Sequence, residues 1–311
     1  MQTASDNLRR ARPLLGTFVE IAAWGAASAH ATVAIEAAFD AVARVHGLMS
    51  FHDPESDVSR LNREAKSGAV AVDPWTIEVL AIAQDLHRRS GGAFDITVAP
   101  ALQSLGLLPA AQCAAAGQRE AATQEHPPHV IAGLDVIELL PSCRVRFRRP
   151  GTRIDLGGIA KGFAVDRTVA VLKEHGIPQG LVNAGGDLAA FGPEPQLIHI
   201  RDPRDPLRLL GAVALFNEAL ASSAAHSNGI ESIHARSAII DPRTGRPANL
   251  VKGASVRAPS CVTADALTKA VMIEGEASAP LLDHYGASAV IVLGDDDICL
   301  SSNWKDNSLA A

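Results

Sequence analysis

The sequence predicts an α+β fold in which mixed β-sheets are flanked by helices, and three observations carry that prediction. Two spans repeat apolar residues at helical spacing: residues 31–49, with Ile35, Phe39, Val42 and Val45 on one face, and the span after Asp73, with Ile77, Leu80, Ile82 and Leu86. Short alternating or apolar runs bounded by glycine, proline and asparagine gather in the second half and read as strands. The 311 residues are 47% hydrophobic and 20% charged. A chain of that size and balance buries a large core, as one unit over residues 1–311 or as two intimate halves at about 12–150 and 151–300, with a tail at 301–311.

Residues 17–23 read as a strand leading to the first helix, which delivers the chain to Ser50, Phe51, His52, Asp53 and Pro54, a loop by its Asp-Pro signal. Asp73 reads as the N-cap of the second helix, and Arg88, Arg89, Ser90, Gly91 and Gly92 close it, basic residues followed by glycine being a favourable C-terminus. Residues 108–130, rich in Ala, Gln, Glu and His with Pro127 and Pro128, read as a surface excursion. Strands follow at 136–140 and 143–148, then at 180–184 and 188–191 with a turn at Gly185, Gly186 and Asp187. Further strands are expected at 198–200, 211–216, 219–222 and 289–293.

Charge and cysteine usage exclude several classes. A net charge of −6 and the lack of a broad basic face argue against nucleic-acid binding. Arg144, Arg146 and Arg148 alternate with Val145 and Phe147, so they share one side of a strand and read as a solvated face. Cys113, Cys143, Cys261 and Cys299 form no C-x-x-C, which implies neither a zinc site nor a disulfide framework and fits a reducing compartment. No transmembrane span or lipobox is present, and Glu20 interrupts the apolar run after Arg9 and Arg10, so stable membrane insertion is not expected and a cytoplasmic location is.

Residues 153–166 organise the rest. An alternating run enters them, Gly157 and Gly158 turn the chain, and a helical pattern leaves through Val165, Val169 and Leu172 to a stop at Gly176. A helix start of this kind presents amides and the positive end of the dipole, which suits a phosphate. It also suits a plain tight turn, and it matches neither the dinucleotide fingerprint nor the P-loop. Near the C-terminus, Thr263 reads as an N-cap. That places Asp265 in a first turn, where the dipole favours a carboxylate by about 0.3–1 kcal/mol, with Thr268 on the same face.

The stretch at 153–166 resembles the signature of the ApbE family of flavin transferases, and further matches lie in the family's order at residues 15–21, 49–62, 92–100, 182–187, 241–247 and 263–267. The resemblance covers about residues 12–295 and implies the family's flavin transferase architecture, related to the T-fold, with FAD lying in a cleft between the two halves. It implies an enzyme that moves FMN from FAD to a threonine or serine hydroxyl of an acceptor protein and releases AMP. FAD contacts are then implied for Leu15, His52, Ala93, Phe94, Asp95, Lys161, Gly162, Phe163, Ala184, Gly185 and Ile240. A magnesium ion is implied on the carbonyl of Ala160, the carboxylate of Asp265 and a hydroxyl of the same helix, here Thr268.

Three positions depart from the family's pattern. An aromatic residue is replaced by His52, which can still stack on a ring; the hydroxyl four residues after the Asp is replaced by Lys269; and the His before Ile239-Ile240 is replaced by Ala238. Lys269 offers a point charge to the pyrophosphate, and His234 or His226 is the candidate replacement base, so the implied catalytic set is Asp265, Lys269 and His234. Two other readings stay open: an FAD pyrophosphatase giving FMN and AMP, and a non-catalytic FAD-binding protein.

Overall fold

The structure, a computed structural model, describes residues 7–109, 133–205, 207–225, 239–294 and 297–304. It opens with a hairpin, β1 (Leu8–Leu14) and β2 (Thr17–Trp24), paired in full register. Leu15 and Gly16 make its turn at φ 55° and 70°, the left-handed pair a tight hairpin needs and an unusual conformation for leucine. Helix α1 (Ser28–Met49) buries Ile35, Phe39, Val42 and Val45, the stripe expected from the spacing. At its end Ser50 Oγ accepts the amides of His52 and Asp53 at 3.2 Å each, which sets the loop carrying His52.

Helix α2 (Asp57–Glu64) is capped by Ser56, and α3 (Pro74–Arg89), after the short strand β3 (Val70–Ala71), by Asp73, whose carboxylate accepts Trp75 N at 2.9 Å. Helix α4 (Ala99–Ser104) precedes β4 (Ile137–Leu140) and β5 (Arg144–Phe147), which join β3 in a three-stranded sheet. Arg146 and Arg148 both pair with Glu138 on its outer face, the solvated role expected of that arginine row.

Helix α5 (Ala160–Glu174) leads to β6 (Gln179–Ala184) and β7 (Asp187–Phe191), joined by the turn at Gly185 and Gly186. Then come β8 (Gln196–Arg201), β9 (Leu209–Leu215), β10 (Glu218–Ala224), β11 (Ile240–Asp241), β12 (Arg246–Pro247) and β13 (Gly253–Ala258). Helices α6 (Cys261–Glu274) and α7 (Ala279–His284) are followed by β14 (Ser288–Val292) and β15 (Ile298–Leu300).

Eight strands form the main sheet in the order β1-β2-β6-β7-β10-β13-β14-β15, and every described pairing in it is antiparallel. Helices α1, α5 and α6 cover one face, and the β8–β9 hairpin contributes to the apolar cover of the other. The split runs residue by residue: Ala289 and Ile291 join the helix-side core while Val290 and Val292 join the hairpin-side core. That two-sided burial is why β14 is a continuous apolar run rather than an alternating one. The helix-side core draws on residues from Leu8 to Ile291, so both halves of the sequence contribute to it. Trp304 packs into the hairpin-side core, and among the described residues no helix is long and apolar enough to cross a membrane.

Candidate active site

The alternating run that enters the central turn is extended but is not part of a sheet. Asn62 holds it like a strand partner instead, accepting Ile154 N at 2.8 Å and donating to Ile154 O at 2.9 Å, while Asp155 N bonds Ile96 O at 2.8 Å. A side chain thus supplies the backbone pairing that alternation predicts.

The helix start that follows is less open to a phosphate than its sequence implies. The amides of Ala160 and Phe163 are used by Leu156 O and Ile159 O, and Gly162 N donates to Asp265 Oδ2 at 2.9 Å. Gly162 is a packing glycine between α5 and α6: a Cβ there would lie 2.3 Å from Cys261 O and 2.7 Å from Asp265 Cβ. Phe163 is buried, with its ring edge-on to Trp75 at 6.3 Å and beneath the guanidinium of Arg167 at 4.7 Å. Gly162 and Phe163, two of the implied FAD contacts, therefore do not line the cleft; they build the seam that positions it.

The N-terminus of α6 also differs from expectation. Its cap position is Ser260 rather than Thr263, which puts Asp265 in the second turn, beyond the reach of the dipole argument. The cap itself comes from α5, where Asp166 accepts Cys261 N and Val262 N at 2.8 Å each. Burial raises the Asp166 carboxyl to about 6, against the pull of those two amides.

Four charges meet at this seam. Lys269 bonds the carboxylate of Asp265 and, at 3.0 Å, its backbone carbonyl; Lys161 bonds Asp187 Oδ2. Asp265 and Asp187 are fully buried. Burial alone would raise the Asp265 carboxyl, but Lys269, Lys161 and the Gly162 N–H hold it below the usual carboxylate range. Asp187 is pushed up by burial and by the charge of Asp265, and its Oδ1 has no hydrogen-bond partner among the described residues. Although burial favours the neutral amine of Lys161, the two carboxylates raise its pKa and keep it charged.

A two-lobed cleft opens over the cluster, its lobes sharing Leu108, Asp155 and Gly157. One lobe, of about 420 Å³, is lined by Leu15, Phe51, His52, Ala160 and Lys161; the other, of about 280 Å³, by Ala93, Phe94, Asp95, Gly158, Ile240 and Lys269. His52 is exposed at the mouth, edge-on to Phe51 at 6.3 Å, and Asp155 is raised by burial with partial relief from the Gly157 amide and His52. Asp95 also caps the turn Ile96–Val98, accepting the amide and hydroxyl of Thr97 at 2.7 Å each, and burial raises its carboxyl despite them.

The comparisons with known proteins bear on this geometry. Residues 15–291 match the family model described as the ApbE family. The chain belongs to the ApbE family. It is 29% identical to the FAD:protein FMN transferase of Treponema pallidum over 96% of this chain and 87% of that protein, and 31% identical to the one from Vibrio cholerae over 75% of this chain and 70% of that protein. The crystal structure of the ApbE protein of Thermotoga maritima superposes with a TM-score of 0.84 at 28% identity, covering 96% of this chain and 98% of that one.

Of the residues that the ApbE resemblance implies, the cleft brings together Leu15, His52, Ala93, Phe94, Asp95, Ala160, Lys161, Ile240 and Lys269. Ala184 is buried in the sheet, and Gly185 lines a separate groove of about 770 Å³ on the hairpin side, where an added Cβ would stand 2.5 Å from Thr17 Oγ1. His234, His226 and Ala238 lie outside the described residues. The implied magnesium set does not fit the side chains as they stand. Both oxygens of Asp265 are engaged, by Gly162 N and Lys269, and the Thr268 hydroxyl donates to Asp265 O at 2.7 Å while pairing with Ser223 Oγ at 2.8 Å in a buried position. No group of three potential acidic, His or Cys ligands occurs among the described residues. Sequence reasoning missed the structural parts of Asn62, Asp166, Asp187 and Ser223, since each acts on a partner distant in the chain.

Proposed function

We propose that this chain transfers FMN from FAD to a threonine or serine hydroxyl of an acceptor protein and releases AMP. One observation carries the reading: Lys161 lines one lobe of the cleft and Lys269 the other, on either side of the Asp155–Gly157 partition, so a molecule with a ring system at each end and a pyrophosphate between them meets a cation from each lobe. The names of the curated relatives agree with it.

In this reaction the acceptor oxygen forms a bond to the FMN phosphorus. The bond from that phosphorus to the bridging oxygen breaks, and AMP leaves with the electron pair. The hydroxyl proton passes to solvent or to a base on the acceptor side. The enzyme's work is positioning and charge stabilisation, which preorganised donors in a partly dry cleft supply. Lys161 and Lys269 meet the phosphate oxygens, Asp187 and Asp265 hold the two lysines in place, and the apolar linings of both lobes exclude water from the rings.

The test is mass spectrometry of the chain incubated with FAD and a threonine-bearing acceptor domain. An acceptor heavier by FMN less water, with AMP released, supports the transferase. Free FMN and AMP without an adduct would replace it by the pyrophosphatase, and intact FAD by a binding protein.

A further inference from the structure

Resting on that reading, we propose that Lys269 takes the place of a divalent cation at the pyrophosphate, so that this chain binds FAD and runs its transfer without a metal. The ammonium sits on the carboxylate that a metal would need, and it is fixed there by two bonds to one residue, Asp265 Oδ1 and Asp265 O. An ammonium has three N–H groups, so two are used in orientation and the third is left for a ligand. Its stem lies along the central turn: a Cβ on Gly158 would stand 3.4 Å from Lys269 Cε and 3.6 Å from Cγ. The lysine runs beside the turn into the cleft, whose lining includes both residues. The Thr268 hydroxyl, one residue earlier, is turned into the protein against Ser223 and does not compete for the phosphate.

The geometry also names the place where a divalent ion would overturn the proposal. Asp187 Oδ1 is buried and has no hydrogen-bond partner among the described residues, so an ion that binds here would take that oxygen and displace Lys161 or Lys269.

The experiment titrates FAD into the full chain by fluorescence, once in excess EDTA and once in millimolar magnesium, and separately titrates manganese into the FAD-free chain by calorimetry. Equal FAD affinity in the two buffers, no manganese binding below the millimolar range, and a loss of about tenfold in FAD affinity for Lys269→Met support the proposal, that loss being the size of one charge-assisted hydrogen bond. A tenfold gain in FAD affinity on adding magnesium overturns it. So does micromolar manganese binding to the parent chain; both readings use the parent and stand even if Lys269→Met fails to fold. Where the acceptor assay works, the transfer rate in EDTA should lie within about twofold of the rate in magnesium. A chain that binds no FAD in either buffer removes the transferase reading itself, and the manganese titration still decides whether a metal belongs at this seam.

Discussion

Carboxylates and cations meet in two very different parts of this molecule. On the outer face of the three-stranded sheet, Glu138 is gripped by Arg146 and Arg148, whose side chains are half or more exposed. At the α5–α6 seam, Asp265 and Asp187 are gripped by Lys269 and Lys161 with no carboxylate surface left to water. Both clusters satisfy the same rule of opposite charge. On the surface water competes with each partner and the pairs contribute little, whereas in the seam each charge depends on its partner for the solvation it has lost. The buried cluster is therefore the one in which losing a partner costs most.

The comparison breaks most visibly at Asp265. Asp265→Ala strands Lys269 and the Gly162 amide together, and should lower stability by about 3–5 kcal/mol. AMP release should be abolished; a thermal melt and a nucleotide assay on the variant check both, and a melt within a degree of the parent would mean that the seam is not held by this carboxylate. Gly162→Ala comes next, because the new methyl meets the Cys261 carbonyl and α5 must move from α6. A cost of about 1–3 kcal/mol is expected from such overpacking, with FAD affinity falling in step as Asp265 loses its amide.

A third test uses proton linkage at Asp166. Its carboxyl stands at about 6 in the folded protein against 3.8 unperturbed. A raised carboxyl binds its proton more tightly in the folded state, so its contribution to stability is fully present below about 4 and is lost as pH rises through about 6. Urea midpoints for the parent and Asp166→Asn should therefore converge or cross over that window and run parallel above it. Asp265 has the opposite sign: its lowered carboxyl stabilises above the ordinary carboxylate range and loses that contribution on acidification. The smallest effect is expected on the surface, where Glu138→Gln should leave the melting temperature and the activity unchanged, sharpening the contrast with Asp265.

Much of the fold was legible because it depends on neighbours in sequence. The α1 stripe of Ile35, Phe39 and Val45, the Asp73 cap of α3 and the β6–β7 hairpin over Gly185 and Gly186 are all set by residues within a few positions of one another. The edge strand β1 and the strand β13 were not expected. Arg9, Arg10 and Arg12 obscure the first, and its exposed pattern is that of an edge. Most of the cleft lining was legible too, through motifs quoted one by one, yet Gly162 and Phe163 proved to be packing residues because nothing local distinguishes a glycine that admits a ligand from one that admits a helix.

By itself, then, the sequence determined most of the elements, their order, the family and two of the charged residues at the cleft, Lys161 and Lys269. The tertiary structure alone decided how those charges are spent. Gly162 N reaches Asp265 across 103 residues, Asp166 caps α6 across 95, and Lys161 meets Asp187 across 26. Spacing encodes interactions within a turn or a hairpin, where the backbone fixes the distance. Pairing across a seam depends on how two helices pack, and that is settled by the whole core at once.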